Sequence, residues 1–116
     1  MYDENNIFAK ILRSEIPCHK IYEDEFSLFF KDINPQAKIH ILGIPKFLCI
    51  NFSDFVKNAD KEYISSFFKS IQIVINDLDL EKHGYRLITN SGEDGGQEVP
   101  HFHIHILAGE KIGGLR

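Results

Sequence analysis

From residue 101 to 107 the sequence reads His-Phe-His-Ile-His-Ile-Leu, with histidine at every second position and an aromatic or branched residue between. Period two belongs to the β-strand, whose side chains alternate between faces. The run therefore places His101, His103 and His105 on one face and Phe102, Ile104 and Ile106 on the other. A helix would scatter the three rings around its barrel and leave the branched and aromatic residues without a purpose. The expectation is a strand packed on one side into a core and carrying a row of imidazoles on the other.

Such a row has three explanations. One is a solvated strand face, although histidine is an uncommon surface choice. Another is a metal site. At about 3.3 Å per residue His101 and His105 start about 13 Å apart, too far for both to reach one zinc at about 2.1 Å, so at most a neighbouring pair could bind. The third is phosphate chemistry. Imidazole titrates near 6.5, so a neutral ring attacks phosphorus while a neighbour donates hydrogen bonds to the oxygens or protonates the leaving group. A phosphorylated imidazole is labile, which splits one difficult displacement into two easier ones.

The rest of the chain bounds these options. Its 116 residues predict one domain, residues 1–116, able to bury about 60 to 70% of its unfolded surface without disulfides. A net charge of −4 and the lack of any Lys/Arg cluster argue against a nucleic-acid polymer and leave a mononucleotide open. No apolar run approaches about 20 residues, and residues 1–10 carry acids rather than a basic, then apolar, leader, so no membrane association and a cytoplasmic location are expected. Cys18 and Cys49 have no metal-type spacing and read as free thiols packed as small hydrophobes.

In chain order, Asn5 or Asn6 caps a short helix in which Ile7, Phe8, Ile11 and Leu12 share a packing face. Residues 21–23 and 26–31 read as a hairpin with Phe26, Leu28 and Phe30 on one face, and Asp32 follows as a turn former. Residues 38–44, closed by Pro45, form a third strand with His40 inside it, by itself a core ring. Ser53 caps a brief turn. Asp60 begins a long helix whose stripe from Tyr63 through Phe67, Phe68, Ile71 and Ile75 to Leu78 is core, wider than one small sheet covers, and His83 lies near its C-terminal end. Residues 85–90 make a fourth strand, and the glycine-rich loop 91–96 leads into the histidine run, where its N–H groups lie close enough to meet phosphate oxygens. The tail, about residues 110–116, is expected to be mobile. Strands with hairpin-length joins interrupted by two helices give an antiparallel α+β sheet, with helices on one side and the opposite face free for a site.

The histidine run does not stand alone. Asp32-Ile33-Asn34-Pro35-Gln36-Ala37, His40, Ile44-Pro45-Lys46, Gly84-Tyr85-Arg86 with Asn90, and Gly95-Gly96-Gln97-Glu98-Val99 accompany it. Together they resemble the histidine triad superfamily, and within it the Hint branch of nucleoside phosphoramidases in its bacterial form, over residues 7 to 109. The resemblance implies a five-stranded antiparallel sheet with two helices, and a homodimer joining two such sheets into one of ten strands. It implies a nucleotide-binding hydrolase that cleaves the P–N bond of purine nucleoside 5′-phosphoramidates through a nucleotidyl-histidine, with AMP and GMP as products. No cofactor or metal is required, and zinc at the histidine cluster would be adventitious. Carried over by position, His103 is the nucleophile, His101 and His105 flank it, and His40 supports the cluster. Asp32 accepts from the ribose hydroxyls; Asn90, Gln97 and His105 contact phosphate oxygens; Ile33, Gly96 and Val99 complete the nucleotide contacts. Glu98 stands where animal members carry serine, and the tail lacks the tryptophan of many relatives. A dinucleoside polyphosphate hydrolase and a non-catalytic nucleotide-binding adaptor are the rival readings.

Overall fold

The computed structural model describes residues 1–115. Three helices and five strands follow one another as α1 (Ile7–Leu12), β1 (Lys20–Glu23), β2 (Ser27–Lys31), β3 (Ile39–Pro45), α2 (Phe52–Asn58), α3 (Lys61–Asp77), β4 (Tyr85–Ile88) and β5 (Ile104–Ala108). The strands form one antiparallel sheet in the order β1-β2-β3-β5-β4. The expected α+β sheet is present. Its helices number three rather than two, because Asn51, not Ser53, caps a full α2 by accepting from the Asp54 N–H. Asp60 caps α3 through the Tyr63 N–H.

Both faces of the sheet are covered. On one, Phe67, Ile71, Val74 and Ile75 of α3 and Phe55 of α2 pack on Phe29, Ile41, Phe102, Ile104 and Ile106. On the other, Phe8 and Ile11 of α1 pack on Leu28, Phe30, Leu42 and Ile44. The expectation of helices on one side only is corrected here: α1, held at its start by the Asn6 side chain on the Ala9 N–H, shares the face of the histidines. Phe26 departs from its expected partners too. It lies beyond the start of β2 and sets its ring edge-on to Tyr63 of α3, at 5.1 Å between centroids. Where the sheet's middle is crowded, Gly43 of β3 lies directly against the Phe29 ring, and any β-carbon there would overlap it.

Two strands are shorter than the sequence suggests. β4 stops at Ile88, and the Thr89 hydroxyl turns to donate to the His103 carbonyl at 2.8 Å. β5 begins at Ile104, so His101, Phe102 and His103 precede it. Their backbone groups are satisfied outside the ladder: the His101 N–H by Val99 O, the Phe102 N–H by Cys49 O and the His103 carbonyl by Thr89. Alternation persists nonetheless, with Phe102 and Ile104 in the larger core and the histidines facing away from it.

α3 ends at Asp77, leaving His83 exposed beyond it in a turn rather than at its terminus. The tail is tied back, Glu110 accepting from the Lys38 N–H at 2.7 Å and Arg86 donating to the Gly114 carbonyl at 2.6 Å. Arg116, included in the expected mobile segment, lies outside the described residues. Cys18 and Cys49 are both free, and burial pushes the Cys49 thiol up to about 12. Among the described residues no helix is long and apolar enough to cross a membrane.

Candidate active site

β3 and β5 pair with Leu42 opposite His105 and His40 opposite Leu107, so His40 and His105 sit diagonally on one face of the central strand pair. His103 comes next along the chain, its ring 5.1 Å from that of His105. Phe8 of α1 packs edge-on against His103 at 4.9 Å. His101 is fully buried behind them, whereas His103 and His105 reach a cavity of about 440 Å³.

The fixed partners of each ring settle its tautomer, because a carbonyl oxygen can only accept. His103 Nδ1 lies 2.6 Å from the His101 carbonyl, so Nδ1 carries the proton and Nε2 keeps its lone pair. His101 Nε2 lies 2.9 Å from the Pro45 carbonyl and therefore carries the proton there, leaving Nδ1 to accept from the Tyr2 hydroxyl at 2.6 Å. His40 Nδ1 accepts from the Gln36 N–H at 3.0 Å, so its proton is on Nε2. That proton faces His105 Nδ1 at 2.9 Å and Asp32 Oδ2 at 3.3 Å. His105 then bears its own proton on Nε2. The site presents one lone pair, on His103, beside one ring N–H, on His105.

All four rings are held neutral. Burial lowers the pKa of His101 to about 4 and, helped by His103 and His40, that of His105 to about 4. Burial also lowers His103 and His40, the latter opposed in part by Asp32. A neutral imidazole is the form that attacks an electrophile.

The cavity has two characters. Ile7, Phe8, Ile11, Ile16, Phe30 and Leu42 supply apolar walls, and Asp32, His40, Asn90, Glu98, His103 and His105 supply polar ones. Ile33, largely exposed, stands at the mouth with Gly96 and Val99. Asp32 does what a turn former does, Oδ1 accepting from the Asn34 N–H at 2.8 Å, and with its other oxygen also faces His40.

Two expected site residues lie apart from the cavity. His101 is enclosed behind it. The Gln97 carboxamide donates to the Ile50 and Val99 carbonyls and accepts from the Gly92 N–H, which staples the glycine-rich loop instead of lining the cavity. Conversely, sequence reasoning assigned α1 to packing alone and passed over Tyr2 and the Gln36 N–H. The Tyr2 contact with His101 spans 99 positions, and the Gln36 contact with His40 is made by a backbone N–H that no residue type announces.

Asp32, His40 and His105 bring possible metal-binding atoms within 4.8 Å of one another, the one such group among the described residues. One hydrogen bond, His40 to His105, and the 3.3 Å approach of Asp32 to the same His40 nitrogen account for this closeness: the His40 proton faces both partners, and a cation would have to displace it.

Comparison with known proteins agrees with the geometry. The HIT domain family model matches residues 13–112. A histidine triad protein from Clostridium difficile is 39% identical and superimposes with a TM-score of 0.89, covering 100% of both chains. A HIT family hydrolase from Legionella pneumophila is 38% identical at a TM-score of 0.86, covering 94% of this chain and 96% of its own. The purine nucleoside phosphoramidase of Escherichia coli K12 is 38% identical over 110 residues, 95% of this chain and 92% of that protein. With sequence and fold shared over nearly its whole length, the chain belongs to the HIT domain family.

Proposed function

We propose that this protein is a nucleotide-binding hydrolase that cleaves the P–N bond of purine nucleoside 5′-phosphoramidates. The observation that carries this reading is the forced tautomer of His103, whose Nε2 lone pair faces a cavity with polar and apolar walls. Similarity to the Escherichia coli purine nucleoside phosphoramidase supports the choice of substrate class.

In this reading the apolar walls around Phe8, Ile11 and Leu42 take the purine, and Asp32 accepts from the ribose hydroxyls. Ile33, Gly96 and Val99 close around the nucleotide, and Asn90 and the His105 Nε2–H hold the phosphate oxygens. Gln97 serves the phosphate indirectly, by fixing the loop. His103 Nε2 donates its lone pair to phosphorus, and the P–N bond breaks with its electrons leaving on nitrogen, which takes up one proton from solvent. Water then attacks phosphorus, the Nε2–P bond breaks, and its electrons return to Nε2. The proton released by that water replaces the one taken by nitrogen, so the cycle closes on an amine and a nucleoside monophosphate such as AMP or GMP. Glu98, the one carboxylate of the cavity besides Asp32, is placed to relay it. No metal is needed, since a lone pair and N–H donors are already in place.

A homodimer belongs to the same proposal. β4 is a sheet edge, and Leu87, opposite the buried Ile106 and so on the face that α3 covers, is 43% exposed there. On α3, Phe68 and Ile73 are exposed as well. Pairing across a two-fold axis would cover both and remove the edge.

The test is turnover of adenosine 5′-phosphoramidate alongside a diadenosine polyphosphate. Preference for the phosphoramidate is expected. Faster cleavage of the polyphosphate would favour the rival hydrolase, and AMP binding without any turnover would favour an adaptor.

A further inference from the structure

The N-terminal segment reaches the row of imidazoles from the far side. The Tyr2 hydroxyl is 2.6 Å from His101 Nδ1, and the phenol stands edge-on to that imidazole at 5.6 Å and 75°. Because the Pro45 carbonyl claims the proton on His101 Nε2, this bond has one direction: the phenol donates. Burial pushes the Tyr2 pKa up, which keeps that proton in place. His101 is thus gripped at both nitrogens, and its own carbonyl is the acceptor, at 2.6 Å, for His103 Nδ1–H. Four hydrogen bonds, those with Tyr2, Pro45 and His103 and that of its own N–H to Val99 O, meet at one fully buried residue.

We propose that Tyr2 is a positioning residue for His103 and acts through His101, its hydroxyl locking the buried ring against Pro45 and thereby fixing the carbonyl that aims His103 Nε2 into the cavity. The inference rests on the reading of His103 as the nucleophile. Rotating the His101 ring by half a turn would exchange Nε2 for Cε1 against the Pro45 carbonyl and Nδ1 for Cδ2 against the phenol, breaking both bonds, and leaving Nδ1 without a donor would strand a buried acceptor. With the hydroxyl present neither occurs.

The same bond also matters for charge. When Nε2 of His103 takes a nucleotidyl group while Nδ1 keeps its proton, the ring becomes cationic, and a protonated His101 beside it would oppose that step. The phenol occupies the lone pair that would take the extra proton. The groups facing His101 are Tyr2 from the N-terminal segment, Phe8 from α1, the Pro45 carbonyl from β3 and His103 from its own segment. Around Tyr2 itself lie Asn6, Arg13, Glu4 and Cys49. Among these described neighbours of His101, Tyr2 alone offers a donor to Nδ1.

Tyr2→Phe keeps the aromatic ring and its edge contact and removes only the hydroxyl, so a purely packing role would leave it without effect. Nitrogen-15 NMR of the intact protein reads the ring signals of His101 and His103 and the titration midpoint of His101; steady-state kinetics with adenosine 5′-phosphoramidate reads kcat and KM. The variant should raise the His101 midpoint by about one pH unit and shift the His103 ring signals. It should lower kcat about tenfold with KM held within about twofold, since a nucleophile aimed slightly wrong loses rate rather than binding. Unchanged His101 and His103 signals overturn the proposal, whatever the substrate. Moved signals with an unchanged kcat overturn it as well, because the hydroxyl would then order a ring on which turnover does not depend. If the wild type leaves the phosphoramidate intact, the proposed function fails instead, and the His103 signals still decide whether Tyr2 positions that ring.

Discussion

Neutral imidazoles with assigned tautomers come from two carbonyl oxygens and one amide that surround them, three groups for four rings. Pro45 O fixes His101, His101 O fixes His103, and the Gln36 N–H fixes His40 and through it His105. Removing the His105 donor by His105→Ala should lower kcat on adenosine 5′-phosphoramidate about 10²- to 10³-fold, the usual loss of one donor to a developing oxyanion, with the fold unchanged by circular dichroism. Titration offers a second check. His101 is neutral when folded, with a pKa of about 4, against about 6.5 when unfolded, so the unfolded chain binds more protons below pH 6.5. The stability it contributes is complete above pH 6.5 and is lost as pH falls towards 4, about 2 kcal/mol of it by pH 5. Urea midpoints measured from pH 7 to 4.5 should fall accordingly, and a flat profile would contradict neutral burial of these rings. The sequence made the residues of the site legible but not these states. Alternation named His101, His103 and His105, whereas the carbonyl that orients His101 lies 56 positions away and leaves no trace in the pattern around it.

Elements place those residues, and the central pair β3 and β5 does most of it. Gly43 permits the pairing: with Ile104 beside it in register and the Phe29 ring against its α-carbon, a methyl group has no room. Gly43→Ala should therefore cost about 1 to 3 kcal/mol by overpacking, read as a lower urea midpoint with an unchanged m-value. An unchanged midpoint would mean that the Phe29 ring gives way freely. α3 was legible because an aspartate cap precedes a long apolar stripe, β2 from alternating aromatic and leucine residues and β3 from isoleucines, each bounded by turn formers. α1 was legible as a helix but not as a wall of the cavity, since a six-residue amphipathic segment does not reveal which face of a sheet it will cover. The late start of β5 at Ile104 escaped for a related reason: side chains and loop carbonyls replace the ladder over residues 101–103, and period-two patterning is blind to the difference.

At the scale of the molecule, both faces of the sheet are covered while its β4 edge stays open beside exposed apolar residues. Sedimentation at micromolar concentration should show a single species of twice the monomer mass, and Leu87→Lys should shift it towards monomer by burying a charge at the join. A wild-type monomer with full activity would refute that assembly. The α+β class and strand number were legible because local patterns and hairpin-length connections constrain an antiparallel sheet tightly. Assembly was suggested by the family resemblance and by an apolar stripe broader than one sheet needs, and much of that stripe, Phe67, Ile71 and Ile75, proves to be buried within the single chain. In the proposed reaction His103 Nε2 carries the nucleotidyl group, and rapid quenching with adenosine 5′-phosphoramidate followed by intact mass and peptide mapping measures this directly. One acid-labile nucleotidyl group on His103 is expected, absent from His103→Ala, whose turnover falls by at least about 10⁴-fold. A group mapped to another residue, or a His103→Ala protein that still turns over, would contradict it.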